Sequence, residues 1–79
     1  MDWREYIHSD LRIMVGKPVI KGTRITVELI LEKLAVQGVD EILLDYPHLN
    51  RTQIQAAVLY AAEVFHAATR PGRPQPLLA

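Results

Sequence analysis

The sequence predicts a mainly α-helical fold: a three-helix bundle in helix-turn-helix order, behind a short N-terminal β element. Three observations carry that prediction. Apolar residues recur at helical spacing from Val27 to Ala35. A second helical pattern opens at Asn50 and runs on through an alanine-rich stretch. Ahead of both, the β-branched pair Val19 and Ile20 follows Pro18, which fixes its own φ and biases Lys17 toward extended backbone.

Taken in order, Met1 to His8 holds Trp3, Tyr6 and Ile7 and is expected to form an extended arm, with the single tryptophan as a core or interface anchor. Ser9-Asp10 reads as a turn and Leu11 to Val15 as a second extended run. With Lys17 to Ile20 this makes a short hairpin or, between two chains, a ribbon. A lone two-stranded hairpin is marginal in water, so it must pack on the helices or on a partner. Gly22 supplies the freedom of a tight turn.

Thr26 is placed to cap the first helix, with Glu28 at its positive end. Val27, Ile30, Leu31, Leu34 and Ala35 form its apolar face, and Gly38 stands where a left-handed residue closes a helix after about Gln37. Asp40 is expected to cap a short second helix to about Asp45, with Ile42 and Leu43 inward. Pro47 then pushes Tyr46 out of helical geometry. Asn50-Arg-Thr-Gln53 has the form of a capping box. Ile54, Val58, Ala61, Ala62 and Phe65 are the expected buried face of the third helix, while Ala56, Ala57, Ala67 and Ala68 raise helix propensity and let a neighbour approach closely. Residues 1–69 thus make one domain, and residues 70–79 a proline-rich tail of polyproline-like or disordered character.

A chain of 79 residues, 49% hydrophobic and without cysteine, allows one small domain with no disulfide and no cysteine-based zinc site. Small domains without such staples often gain stability by oligomerising. A homodimer is therefore expected, and Leu29, Val36 and Leu59 fall off the main helix faces as an interface would require. No run is long enough for a membrane span and no basic-then-apolar leader is present, so the expectation is a cytoplasmic bacterial protein without membrane contact.

The net charge is zero. Its distribution is uneven: residues 11–24 hold Arg12, Lys17, Lys21 and Arg24 with no acid, whereas residues 28–45 hold five acids against Lys33. Such segments can put opposite potentials on different faces.

The short helix, proline-containing turn and long helix from Glu41 to about Ala68 have the order in which a helix-turn-helix presents its second helix to the major groove. The residues so presented are Asn50, Arg51, Thr52, Gln53 and Gln55. Arg reads guanine, and Gln or Asn reads adenine, through paired hydrogen bonds. Beyond Arg51 this helix is poor in cations, which leaves Lys17, Lys21 and Arg24 as the expected phosphate contacts.

The run GKPVIKGTRITVELILEKLA (residues 16–35), followed by Asp45-Tyr-Pro-His-Leu49 and a final long helix, resembles the bacterial family called domain of unknown function 433 over roughly Tyr6 to Ala68. That resemblance implies a homeodomain-like helix-turn-helix and an antitoxin-like role in a toxin–antitoxin pair. It further implies operator DNA and a PIN-type, nuclease-like toxin as partners. Leu77 and Leu78, at the end of the tail, are the residues expected to dock on that toxin, since a short apolar patch can order on a partner. The alternative is a protein-interaction or assembly module that does not touch DNA.

Catalysis finds no positive support. Gly16 to Thr23 lacks the order of a phosphate-binding loop, because Lys21 precedes Gly22. His8, His48 and His66 are widely spaced in sequence, and no nucleophile–base or paired-carboxylate pattern accompanies them. No enzyme activity, cofactor or metal is therefore expected.

Overall fold

In the computed structural model, which describes residues 1–69, two short strands precede three helices: β1 (Ile7–His8), β2 (Val19–Ile20), α1 (Val27–Leu34), α2 (Val39–Asp45) and α3 (Arg51–Ala68). The predicted class, mainly helical with a short β element, is the one observed. The strands pair antiparallel with Ile7 opposite Ile20 and His8 opposite Val19. All four residues except His8 are buried.

The β2–α1 junction follows from local chemistry. Thr23 N–H donates to the Ile20 carbonyl at 3.0 Å, closing a turn in which Gly22 has φ +78°. That is the position where a type II turn demands positive φ. The Thr23 hydroxyl donates to Ile20 O and accepts from Ile25 N–H, and Ile20 N–H donates to Ile25 O at 2.9 Å. Thr26 then caps α1 through its hydroxyl, which accepts from Leu29 N–H at 3.0 Å.

The expected extended run from Leu11 to Val15 is absent. Asp10 instead accepts from the Arg12 amide at 2.9 Å and from its guanidinium at 2.9 and 3.1 Å, while Ile13 N–H returns to Asp10 O. This turn denies the segment a strand partner. Arg12 also holds the Asp10 carboxyl below the usual carboxylate range. Met14 (φ 49°), Val15 (φ 57°) and Gly16 (φ 83°) follow in left-handed geometry. For Met14 and Val15 this costs roughly 1–2 kcal/mol each. Hence β2 pairs with β1 across the whole loop.

Helix α1 is shorter than expected. Ala35 N–H is shared between the Leu31 and Glu32 carbonyls and Val36 N–H bonds Lys33 O, a tightening that ends the helix. Gly38 therefore does not close α1 in the left-handed region. It has φ −82° and stands at the start of α2, where the Glu41 carboxylate accepts from its amide at 3.2 Å. Asp40, the expected cap, lies within the first turn, its charge at the positive end of the helix.

The core joins Ile7, Ile20, Val27, Ile30, Ile42, Leu49, Ile54, Ala56 and Ala57. Trp3 is the expected anchor, edge-on to Tyr60 with ring centroids 4.7 Å apart and its indole N–H donating to Glu63. The segment is not fully extended, however: Asp2 accepts from Arg4 N–H and caps a single 3-10 turn at Trp3–Glu5. The buried face of α3 needs correction. Ile54, Ala56 and Ala57 are buried, but Val58, Ala62 and Phe65 are exposed and Ala61 is half-buried. Val58, next to the buried Ala57, is exposed because it lies on another row of the helix, and length accounts for the exposed far end. At 1.5 Å per residue the eight residues of α1 span roughly 12 Å and the 18 of α3 roughly 27 Å, so the body ends before α3 does.

Candidate nucleic-acid interface

The start of α3 is built as its sequence implies. Asn50 Oδ1 accepts from Gln53 N–H at 2.9 Å, and Gln53 Oε1 accepts from Asn50 N–H at 2.8 Å. Each side chain thus has one oxygen committed to the cap and keeps its NH2 group for an outside acceptor. Arg51 is exposed, and its guanidinium pairs with Asp40 on α2. An exposed pair of this kind is worth about 0.2–1 kcal/mol, so phosphate or guanine can compete for it. Thr52 is half-buried and Gln55 exposed. Asn50, Arg51, Thr52, Gln53 and Gln55 therefore share one short, capped end of α3, beside α2.

The other expected cations sit elsewhere. Lys17 Nζ lies 3.2 Å from Glu28 Oε2. Both border a groove that also contains Tyr60, Ala61, Val64 and Phe65. Phe65 lies fourteen residues beyond Arg51, roughly 21 Å along the helix. Lys21 and Arg24 are exposed on the turn between β2 and α1, where the Lys21 amide bonds Tyr6 O at 2.8 Å. Among the described residues neither side chain pairs with an acid. The structure thus forms two polar clusters on different elements, one at the start of α3 and one on the β2–α1 turn. Leu77 and Leu78 lie outside the described residues.

Two apolar hollows were not foreseen. The first, about 450 Å³, lies between α1 and the last turns of α3, with Pro18, Val27, Leu31, Val64 and Phe65 in its walls. The second, also about 450 Å³, lies nearer the start of α3 and includes Met1, Leu34, Val39, Val58 and Leu59. The signal available in the sequence was the length mismatch of α1 and α3, since an eight-residue helix cannot cover one of 18.

Residues 7–61, from β1 to the middle of α3, match the family described as protein of unknown function (DUF433). The chain belongs to the DUF433 family. Both polar clusters lie inside the matched span, whereas Ala62 and the residues after it do not. No curated protein and no solved structure matches this DUF433 chain. No described helix is long and apolar enough to cross a membrane.

Proposed function

We propose that this DUF433 protein is an antitoxin-like, homodimeric helix-turn-helix module that binds operator DNA through the start of α3 and sequesters a PIN-type toxin in the cytoplasm. The observation that carries the reading is the α2–turn–α3 unit. Its long helix starts with a capped turn in which Arg51 is exposed, and Gln55 is exposed one turn further on. Lys21 and Arg24, unpaired with acids among the described residues, supply phosphate contacts that fix the protein on the duplex without reading sequence. The neutral total charge keeps non-specific affinity low. No catalytic step is assigned. The apolar groove beside Leu31 and Val64 offers the toxin a second docking surface besides Leu77 and Leu78.

The test is fluorescence anisotropy against the DNA upstream of the gene, at several salt concentrations. Arg51→Ala should cost about 1–3 kcal/mol on the specific site and little on random duplex. Lys21→Ala or Arg24→Ala should weaken both and lower the salt slope by about one. Affinity for the upstream region no tighter than for random duplex would remove the DNA half of the reading. The toxin half is tested by co-purification with the product of the adjacent gene, with and without residues 70–79. Loss of capture on deletion would assign the toxin to Leu77 and Leu78, and unchanged capture would assign it to the groove.

A second reading, an interaction or assembly module without DNA contact, is favoured by one observation. Arg51 already has a partner in Asp40, while the exposed surface along α3 is apolar.

A further inference from the structure

Along the exposed flank of α3, Gln55, Val58, Leu59, Ala62, Phe65 and His66 recur at three- and four-residue spacing, the pattern by which one helix seats on another. Val58, Leu59 and Phe65 are 42%, 43% and 70% exposed. Ala62 sits at the middle of the row, where a small side chain lets two helices come close. Phe65 projects as a knob. One turn to the other side of Ala62, Leu59 and Val58 line an open apolar hollow with Leu34, Val39 and Met1. Knob and hollow therefore lie on one face, equally spaced about Ala62. That is the requirement for an isologous, two-fold contact.

We infer that a second copy of this chain covers this face, with the two α3 helices antiparallel about a two-fold axis at Ala62. Phe65 of each copy then lies over Leu59 in the hollow of the other. Charge agrees with the assignment. Between Arg51 and Glu63 the helix carries no charged side chain, and Glu63, its single carboxylate, is held on the arm side by Trp3 and Arg4. The two-fold thus brings no like-charged Lys, Arg, Asp or Glu side chains of α3 together. Area agrees as well. Met1, Val58, Leu59 and Phe65 leave on the order of 300 Å² of apolar side chain uncovered. A standard interface buries about 800 Å² per partner, roughly 450 Å² of it apolar. The seam supplies most of that, which fits a dimer of moderate affinity.

The arrangement has a geometric consequence, which rests on the DNA reading above. The overlap runs only from about Ala56 to Ala68, so the first turn of each α3 stays free. Arg51 is eleven residues from Ala62, which separates the two Arg51 positions by roughly 33 Å. One turn of B-DNA, the usual half-site separation, is about 34–36 Å.

The register can be tested in the full chain, which has no cysteine of its own. Ala62→Cys should cross-link to itself under a short bis-maleimide, whereas Ala67→Cys, exposed on the arm side of α3, should not. Equal cross-linking at both positions would overturn the proposal. By sedimentation equilibrium, Leu59→Glu or Phe65→Lys should each weaken the dimer by about thirtyfold or more. Combining both in one chain should restore much of the loss, because each new carboxylate faces a new ammonium across the axis. Unchanged dimerisation in the single variants, or no recovery in the double variant, would refute this pairing. Far-UV circular dichroism confirms that each variant is folded, as expected for exposed positions. Two half-sites one helical turn apart should bind better than the same half-sites offset by half a turn. A dimer that cross-links at Ala62 yet shows no spacing preference supports the seam and removes only the DNA reading.

Discussion

Ile30 and Phe65 carry the same pattern in sequence, each an apolar residue at helical spacing, yet one is fully buried and the other 70% exposed. Truncating both to alanine therefore separates the folded body from the overhang. Ile30 packs in the cluster formed with Ile42, Ile54 and Ala57, and Ile→Ala at such a site costs about 2–5 kcal/mol including the cavity left behind. A domain of this size has roughly 4–10 kcal/mol to lose, so Ile30→Ala should remove a large share of its stability. Phe65 forfeits only the buried third of its surface, and Phe65→Ala should cost about 1 kcal/mol or less in the monomer. Urea unfolding followed by circular dichroism, run well below and well above micromolar protein, measures both. The Ile30→Ala loss should be independent of concentration. The Phe65→Ala loss should grow with concentration, because association stabilises the folded state by mass action. If Ile30→Ala does not fold, Ile30→Val at about 0.5–1.5 kcal/mol replaces it. A Phe65→Ala loss equal to that of Ile30→Ala in dilute solution would refute the placement of α3.

Asn50→Ala removes the oxygen that accepts from Gln53 N–H and should lower stability by about 1 kcal/mol in thermal or urea unfolding. Asp40→Asn releases the Arg51 guanidinium, so DNA affinity in anisotropy should rise by about two- to fivefold. Stability should fall slightly at the same time, because α2 loses a charge in its first turn. Asp10 is held below the usual carboxylate range by Arg12, so its contribution is present in full above the unfolded value, near about pH 4. It is lost as pH falls through the lower, folded value. The stability advantage of the parent over Asp10→Asn should therefore fade below about pH 4, and an advantage that persists at lower pH would show that Arg12 does not set it.

How much was legible depended on whether a signal was local. Thr26 as cap of α1 and the reciprocal Asn50–Gln53 cap of α3 were both readable, because each is satisfied within one helical turn. Gly38 was readable as a helix boundary but not as to which helix, since glycine suits the end of one and the start of the next equally. Only the early end of α1 at Ala35 decides it. Val15 was unreadable for a different reason. A β-branched residue favours extended backbone, and the Asp10–Arg12 turn overrides that preference. Periodicity identified α3 as amphipathic but chose the wrong residues for its buried side, because Ile54 belongs to two adjoining apolar rows. The row through Ala57 meets α1, while the row through Val58 and Phe65 does not. The polar clusters were readable one by one, at Arg51 and at Lys21, but how their elements sit together depends on the packing of α1 against α3, which no local signal encodes.

That packing also bears on how α3 is held. Its first half is fixed by the cap at Asn50 and by burial of Ile54, Ala56 and Ala57, whereas Ala62 to Ala68 are all exposed. Short helices are marginal in water, and most helical stability in proteins comes from burying an apolar face. The last two turns are therefore held mainly by backbone bonds, by their continuity with the first half and by Glu63, which Trp3 and Arg4 tie to the arm. In dilute solution, amide hydrogen exchange should run faster from Val64 to Ala68 than from Val58 to Tyr60. As concentration rises, or as a partner fills the apolar groove, the two rates should converge, because a second copy covers Phe65 and a groove partner covers Val64. Equal protection along all of α3 in dilute monomer would mean that the overhang is held without a partner, and the covered-face reading would lose its physical basis.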